Sequence, residues 1–506
     1  MKTTLTTIFL FVLCCNLSKA GTWTDLGNYS LAWYTNSSSD QRFTISSEKE
    51  IAALAYLVNN GYTDFSNKTI TLENDIDLSA HTWIGIGKNG YSFKGTFLGQ
   101  GHRIEGVRLT EESGAYPYYG FWLSITNAEI KDLTIAGTAV LNFFDAAYPN
   151  TTLGMFAATA YSCRFENCNS IVDISYYRSI TYNFGYSIKI GGMIGEMSKT
   201  TMAYCNHKGN IIVEFGRSGR DSEFYDRSSS IIVGGLVASD VSSSVIKYCG
   251  NYTEHIKVDA AGSVNTNGIP TSLGGIIGSA NSNTQLTSCF NNSKDFEAIF
   301  RGNSTASIKI GGIAGFANYY SGSSGGIYNC YSSTSIFHVT VQTYSSNVYC
   351  GGVVAFYNSS ATNKYKACFG PADLTIYSPT TFNLIDGYSG SNAYTESQMK
   401  TDDFLSELNL YLQLTNDKSN IWVNDKEFPY IKRNDASSLA IPTKENQHLD
   451  FTVADGCLNL EMPADVRIYS MEGKLEFSGI TQQTCRLAQG THILKVGGES
   501  CIFYVK

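Results

Sequence analysis

A tandem repeat near forty residues constrains this chain more than any other feature of its sequence. A glycine followed by small or apolar residues recurs at Gly154, Gly191-Gly192, Gly234-Gly235, Gly274-Gly275, Gly311-Gly312 and Gly351-Gly352. Counted from Gly154 through the second glycine of each pair, the steps are 38, 43, 40, 37 and 40 residues. A cysteine follows each time, at Cys168, Cys205, Cys249, Cys289, Cys330 and Cys368, with steps of 37, 44, 40, 41 and 38. Two markers holding nearly the same period define a repeat architecture.

Each unit is β-rich. Ile188-Lys189-Ile190 precedes one glycine pair and Ile211-Ile212-Val213 follows the next cysteine, and both read as short strands. A single unit cannot bury its apolar face, so successive units must stack. The fold expected is all-β: a right-handed parallel β-helix of about eight coils, with neighbouring coils about 4.8 Å apart. The six cysteines then form a buried column, reduced in the favoured reading and paired between adjacent coils in the alternative. The glycine pairs suit places where the coil turns tightly or a neighbouring backbone comes close.

Composition narrows the class further. The 506 residues hold 47 glycines, 33 tyrosines and only 8 prolines, which suits a β body with many turns. Lys and Arg number 36 against 44 Asp and Glu, for a net charge of -8, and no basic run stands out. The electrostatic footprint of a nucleic-acid binder is therefore missing. Residues 1–20 read as a secretory signal: Lys2, an apolar stretch from Ile8 to Cys15, then Ser18 and Ala20 ahead of Gly21. No later apolar stretch is long enough to span a bilayer. The expected location is secreted or on the outer cell surface.

Upstream of the repeat, Ser47 and Glu50 form a predicted capping box, and Ile51, Leu54, Ala55 and Val58 follow at helical spacing up to Gly61. The strand Thr69–Leu78 and the coil Phe93–Ile104 come next. This order of helix, "ITLENDIDLS", "WIGIG", "FKGTFLGQGHRI" and repeated "GGxxG" units resembles the GLUG-repeat β-helix proteins of bacterial surfaces, some of them adhesins and proteases. The resemblance covers about residues 45–433 and implies a β-helix domain over residues 21–433 and a cell-surface location, with no established chemistry. Asp402–Leu414 has helical periodicity, and Trp422 with Phe428–Ile431 resembles a closing segment. A polar linker, 434–447, leads to a predicted β-sandwich over 448–506. Its "VRIYSMEGK … LAQGTHILKV … FYVK" pattern is similar to the type IX secretion sorting domain of Bacteroidota, which implies secretion machinery as a partner. Cys501-Ile502-Phe503 stands where that pattern often carries a lysine.

The sequence offers little catalytic chemistry. Asp173 and Asp373 each lie five residues after a ladder cysteine, but in the first and last units. They are too far apart to act as a glycosidase pair. Asp240 and Asp259 occupy other repeat positions. Asp75 and Asp77 share one face of a strand, where calcium is an option and structural capping the favoured alternative. The seven histidines are scattered, and no metal or other cofactor is expected. What remains is loop surface after each cysteine-bearing strand. The expected binding face comprises Tyr176, Tyr177, Tyr182, Tyr186, Arg217, Arg220, Phe224 and Tyr225, with Phe184, Phe215, Phe296 and Phe300 nearby. The expected function is a non-enzymatic, adhesin-like surface protein recognising a glycan or protein. The alternatives are a β-helix polysaccharide lyase or glycoside hydrolase, which requires a cleft of converging carboxylates with a basic residue, and a structural surface spacer.

Overall fold

The computed structural model describes residues 21–505 except 37, 89, 112, 114–116, 144–149, 181–185, 218–229, 262–269, 302–306, 318, 342–346, 358–362, 379–382, 391, 425–426, 435–450, 455–456, 471–474, 485–486, 488 and 497–498. The chain divides into two compact units, Met1–Asn416 with Trp422–Lys432, and Asp417–Ile421 with Arg433–Lys506.

The first unit is a parallel β-solenoid with about six turns of the glycine and cysteine unit, within stacks that reach eight strands. Three stacks of strands form its sides. A lead stack of eight strands enters the glycine pairs, an exit stack of seven leaves them, and the third and largest sheet carries the cysteines. Pairing between turns is parallel and in register with the repeat: Ser187–Gly191 pairs with Ser230–Gly234, and Ile194–Ser198 with Val237–Asp240. Alternation puts Ile188, Ile190, Ile231 and Val233 inside, where they are fully buried. The second glycine of each pair has a specific reason. A Cβ on Gly235 would lie 2.1 Å from the carbonyl oxygen of Gly275, and one on Gly275 2.2 Å from that of Gly312. Only hydrogen fits at that spacing.

The cysteine corner is built from a repeated local device. The residue before each ladder cysteine has positive φ: Asn167, Tyr204, Tyr248, Ser288, Asn329 and Ala367 lie between +50° and +58°. That turn lets each thiol donate to the carbonyl two residues back, from Cys168 to Glu166 at 3.4 Å through Cys368 to Lys366 at 3.4 Å. All six thiols are free and fully buried. Cys249 Sγ also accepts from the backbone N–H of Cys205, and Cys330 Sγ from that of Cys289, each at 3.4 Å. Burial pushes the Cys368 thiol up to about 12 and that of Cys350, in the lead stack, likewise to about 12. These groups stay protonated and unreactive near neutral pH.

The helix Glu48–Asn59 forms where expected and buries Ile51, Leu54, Ala55 and Val58, and Gly61 beyond it takes φ +70°. Its start differs from the expected capping box. Glu50 accepts from the backbone N–H and hydroxyl of Ser46, while Ser47 makes no side-chain cap. At the other end, helix Asp402–Leu414 is capped by Thr401 and buries Phe404, Leu408 and Leu412. With Met399, Trp422 and Ile431 these cover the ring column Phe290, Tyr331 and Phe369 on the outside of the cysteine sheet. No helix among the described residues is long and apolar enough to cross a membrane.

The second unit contains a five-stranded antiparallel sheet. Its central strand, Cys457–Ser470, pairs with Phe451–Ala454 in its first half, with Gly490–Val496 in its second, and with Leu475–Gln483 along its length. Leu458, Val466, Ile468, Leu487, Leu494 and Val505 form its core.

Candidate functional site

A groove runs over the outer face of the cysteine sheet in the first turns of the solenoid. It has two connected parts of about 690 Å³ and 480 Å³, which share Arg103, Ile171, Lys208 and Tyr252. The strand ladders assemble it. Asp77 pairs with Glu105, Gly137 with Val172, and Asp173 with Thr138, while Lys208 is the register partner of Ile171. Glu254 reaches the groove one coil further on. Ala136 and Gly137 form a low floor between Glu105 on one side and Ile171 to Asp173 on the other. Gly137 is obligatory there, because a Cβ would lie 1.9 Å from the carbonyl oxygen of Val107.

The polar groups of the groove are tied down by the coils beneath them. Asp173 Oδ1 accepts from the Asn210 backbone N–H at 2.8 Å, and Asn210 Oδ1 accepts from the His255 N–H at 3.1 Å. Arg103 Nε lies 3.3 Å from Glu105 Oε2. Asp75 accepts from the backbone N–H of Arg103 at 2.9 Å and contacts His102 Nδ1 at 3.1 Å, and the backbone bond to Arg103 leads in holding its carboxyl below the usual range. Asp77 accepts from Ser79 N–H at 2.8 Å, with the same effect. Both carboxylates proposed for calcium are thus engaged with protein donors. Among the described residues, no group of three or more His, Cys, Asp or Glu side chains is placed to hold a metal ion. Ile171 and Tyr252 are each 38% exposed and give the groove apolar surface. The Tyr252 ring meets Phe290 edge to face at 5.3 Å, so the groove ends where the covered ring column begins.

Beneath this face runs an interior polar ladder. Ser170, His207, Asn251, Asn291 and Ser332 occupy the second position after successive cysteines and are buried. Asn251 donates to Asn291 Oδ1 at 2.9 Å, and Asn291 donates to Ser332 Oγ at 3.1 Å. His207 Nδ1 contacts Ser170 Oγ at 3.2 Å, while its Nε2 is buried without a partner. Burial drives the His207 pKa down to about 4.

Two members of the expected loop face lie in the core instead. Strand Arg164–Ile180 continues well beyond the cysteine, so Val172, Ile174, Tyr176 and Arg178 all point inward. Tyr176 and Tyr186 are core residues, 1% and 2% exposed, and not ligand contacts. They form a pocket with Phe143 around Arg178, whose guanidinium lies 5.2 Å from the Phe143 ring and 5.0 Å from the Tyr186 ring. The same alternation buries Phe215, Phe296 and Phe300. Tyr177 is half-buried on the outer side of its strand. Arg217 ends strand Ile211–Arg217. Tyr182, Phe184, Arg220, Phe224 and Tyr225 lie outside the described residues. The structure therefore brings together Asp77 and Asp173, already considered from sequence, with Arg103, Glu105, Lys208 and Glu254, which were not. Glu254 could have been found, since it follows Cys249 by the same five residues that separate Asp173 from Cys168.

No family model matches the chain, and no curated protein sequence does. Solved structures show a remote likeness. A protein named IgA1 protease is 12% identical with a TM-score of 0.36, over 67% of this chain and 21% of that one. A Bacteroides ovatus protein, provisionally named an immunoglobulin A1 protease, is 13% identical with a TM-score of 0.37, over 77% of this chain and 92% of that one. This chain thus spans about a fifth of the first neighbour's length. The expectation of a chain without catalytic activity is corrected at this point, because the solved structures it resembles are named as proteases. No activity passes to this chain on so remote a likeness.

Proposed function

We propose that the chain is an exported, adhesin-like protein of the cell surface that holds a glycan in the groove between Asp77 and Glu254. The single observation that carries this reading is the groove's make-up. Four carboxylates, Arg103, Lys208 and Asn210 offer hydrogen bonds in both directions, and Tyr252 offers a flat apolar ring at one end. An extended polymer lying across the coils meets these groups in succession. The leader-like residues 1–20 and the resemblance of the C-terminal unit to a sorting domain support export, with secretion machinery as a second partner. The test is binding to arrayed glycans and mucins by the Lys208→Ala, Tyr252→Ala double variant. The expected result is a loss of about tenfold or more in affinity at unchanged thermal stability. Unchanged binding overturns the proposal.

A second reading is cleavage of the bound polysaccharide. The specific observation behind it is that Glu105 and Asp173 flank the strand carrying Ala136 and Gly137, two strand spacings apart and offset by about two residues, or about 12 Å at the backbone, with cations at Arg103 and Lys208. Side chains leaning inward from that distance approach the separation used in glycoside hydrolysis. Release of reducing or unsaturated sugars that Asp173→Asn abolishes supports it, and its absence across a polysaccharide panel removes it.

A further inference from the structure

Away from the groove, the outward side chains of the lead and exit stacks meet along the solenoid, and one rung breaks the pattern. Lys189 of the lead stack forms an ion pair with Glu196 of the exit stack. Following the register three coils on, through Ile232 and Ser272, brings Lys309 to the position of Lys189. The same path from Glu196 through Ser239 and Ser279 brings Phe316 to the position of the acid. Lys309 has thus kept the cation while its carboxylate has become an aromatic ring.

Its Nζ lies 5.3 Å from the centroid of Phe316 and 5.8 Å from that of Phe356. The two rings stack at 5.2 Å with 23° between planes, and Tyr349 closes on Phe356 edge to face at 5.4 Å. Among the described residues no carboxylate forms an ion pair with Lys309, in contrast to Lys189 and Lys257. Burial lowers its pKa with no opposing charge. Ring faces offset part of the cost of holding an ammonium in such a place, but an arriving anion offsets more. Immediately before this rung the side chains become small. Ser272 and Ser279 are half-buried and face each other between the two lysine rungs, which stand three strand spacings or about 14 Å apart.

We propose that this corner is a binding subsite for an acidic sugar, a uronate or sialate unit of a glycan. The carboxylate meets Lys309, the apolar face of the ring meets Phe316, Phe356 and Tyr349, and the hydroxyls meet Ser272 and Ser279. The subsite is separate from the groove between Asp77 and Glu254 and does not depend on it.

The experiment is calorimetric titration of the full chain with trigalacturonate, with 3′-sialyllactose, and with neutral maltotriose and lactose of matching size. Binding of either acidic sugar at least about tenfold tighter than its neutral counterpart is expected, and which one binds assigns the source of the carboxylate. Lys309→Met removes that preference, Lys309→Arg retains it, and Phe356→Ala weakens both acidic and neutral binding. Equal affinity for acidic and neutral sugars overturns the proposal, as does an unaltered preference in Lys309→Met at native thermal stability. Tighter binding of a polyglutamate peptide than of either sugar replaces the glycan by an acidic peptide and overturns it too.

Discussion

One face of this solenoid is open in its first turns and covered in its last, on the same backbone. The residue directly after each ladder cysteine points outward in both halves. It reads Asn169, Asn206 and Gly250, then Phe290, Tyr331 and Phe369, each pairing in register with the next. Where it is asparagine it lines the polar groove, and at Gly250, the boundary, the Phe290 ring lies close against the backbone. Where it is aromatic the face is sealed by Trp422 and the helix Asp402–Leu414. The strands, the turn with positive φ and the buried thiol beneath are common to both halves. A solenoid backbone thus fixes the spacing of a surface, and one column of side chains decides whether water or protein occupies it.

The interior mirrors this division. From the boundary coil into the covered half, Asn251, Asn291 and Ser332 are linked by hydrogen bonds. Beneath the open half the ladder passes to His207, whose Nε2 has no partner. The open half therefore holds the weaker interior as well as the exposed surface.

The comparison breaks most forcefully at the cover. Trp422→Ala removes a side chain that is 1% exposed and is expected to cost about 3–5 kcal/mol. Alanine at exposed Lys208 stays within about 0.5 kcal/mol. Denaturant unfolding of the two variants checks both, and binding of a hydrophobic dye by Trp422→Ala reports whether Phe290, Tyr331 and Phe369 become exposed. Equal stability of the two variants removes the distinction between the halves.

Acid sharpens it next. The folded pKa of His207, about 4, lies below its ordinary value of 6.5. The unfolded chain takes up a proton as pH falls through 6.5, whereas the folded chain resists until about pH 4. Stability is therefore complete above pH 6.5, declines across that window and levels below it, by about 3 kcal/mol in all. His207→Asn, which extends the asparagine ladder, is expected to flatten this profile. Melting curves from pH 7 to pH 4 distinguish the two proteins, and parallel declines assign the sensitivity elsewhere.

A smaller effect concerns what the halves share. Cys249→Ala deletes a fully buried thiol and its bond to the Lys247 carbonyl, at an expected cost of about 1–2 kcal/mol. Cys168→Ala in the open half should match it, because the corner is the same device in both. A difference above 1 kcal/mol in denaturant midpoints, converted at constant slope, indicates that the column is not uniform.

Much of the solenoid was legible because its determinants are periodic. The glycine spacing reports where a neighbouring carbonyl excludes a Cβ, and the cysteine spacing reports a corner that admits a small buried donor. Both depend on one residue at a time. The aromatic loop face was misplaced for a reason equally local. Tyr176 and Phe215 continue the alternation begun at Val172 and Ile211, so the strand outlasts the point at which a loop was expected.

The groove as an assembly was not legible, although Asp77 and Asp173 stood out singly and Glu254 shares the spacing of Asp173 from its cysteine. Its members come from coils before the repeat and from its first three turns. Arg103 and Glu105 precede the glycine-cysteine period, and a register shift between Ile104 and Val107 sets where they stand over Ala136. The sequence by itself determined the repeat, the stacking and the buried columns, because each follows from short-range periodicity and the need to bury one face. Which outward side chains share a groove, which ring column attracts the closing helix, and which lysine has aromatic rings in place of an acid were decided only by tertiary structure. Those pairings depend on strand register between coils about forty residues apart, and local pattern carries no record of it.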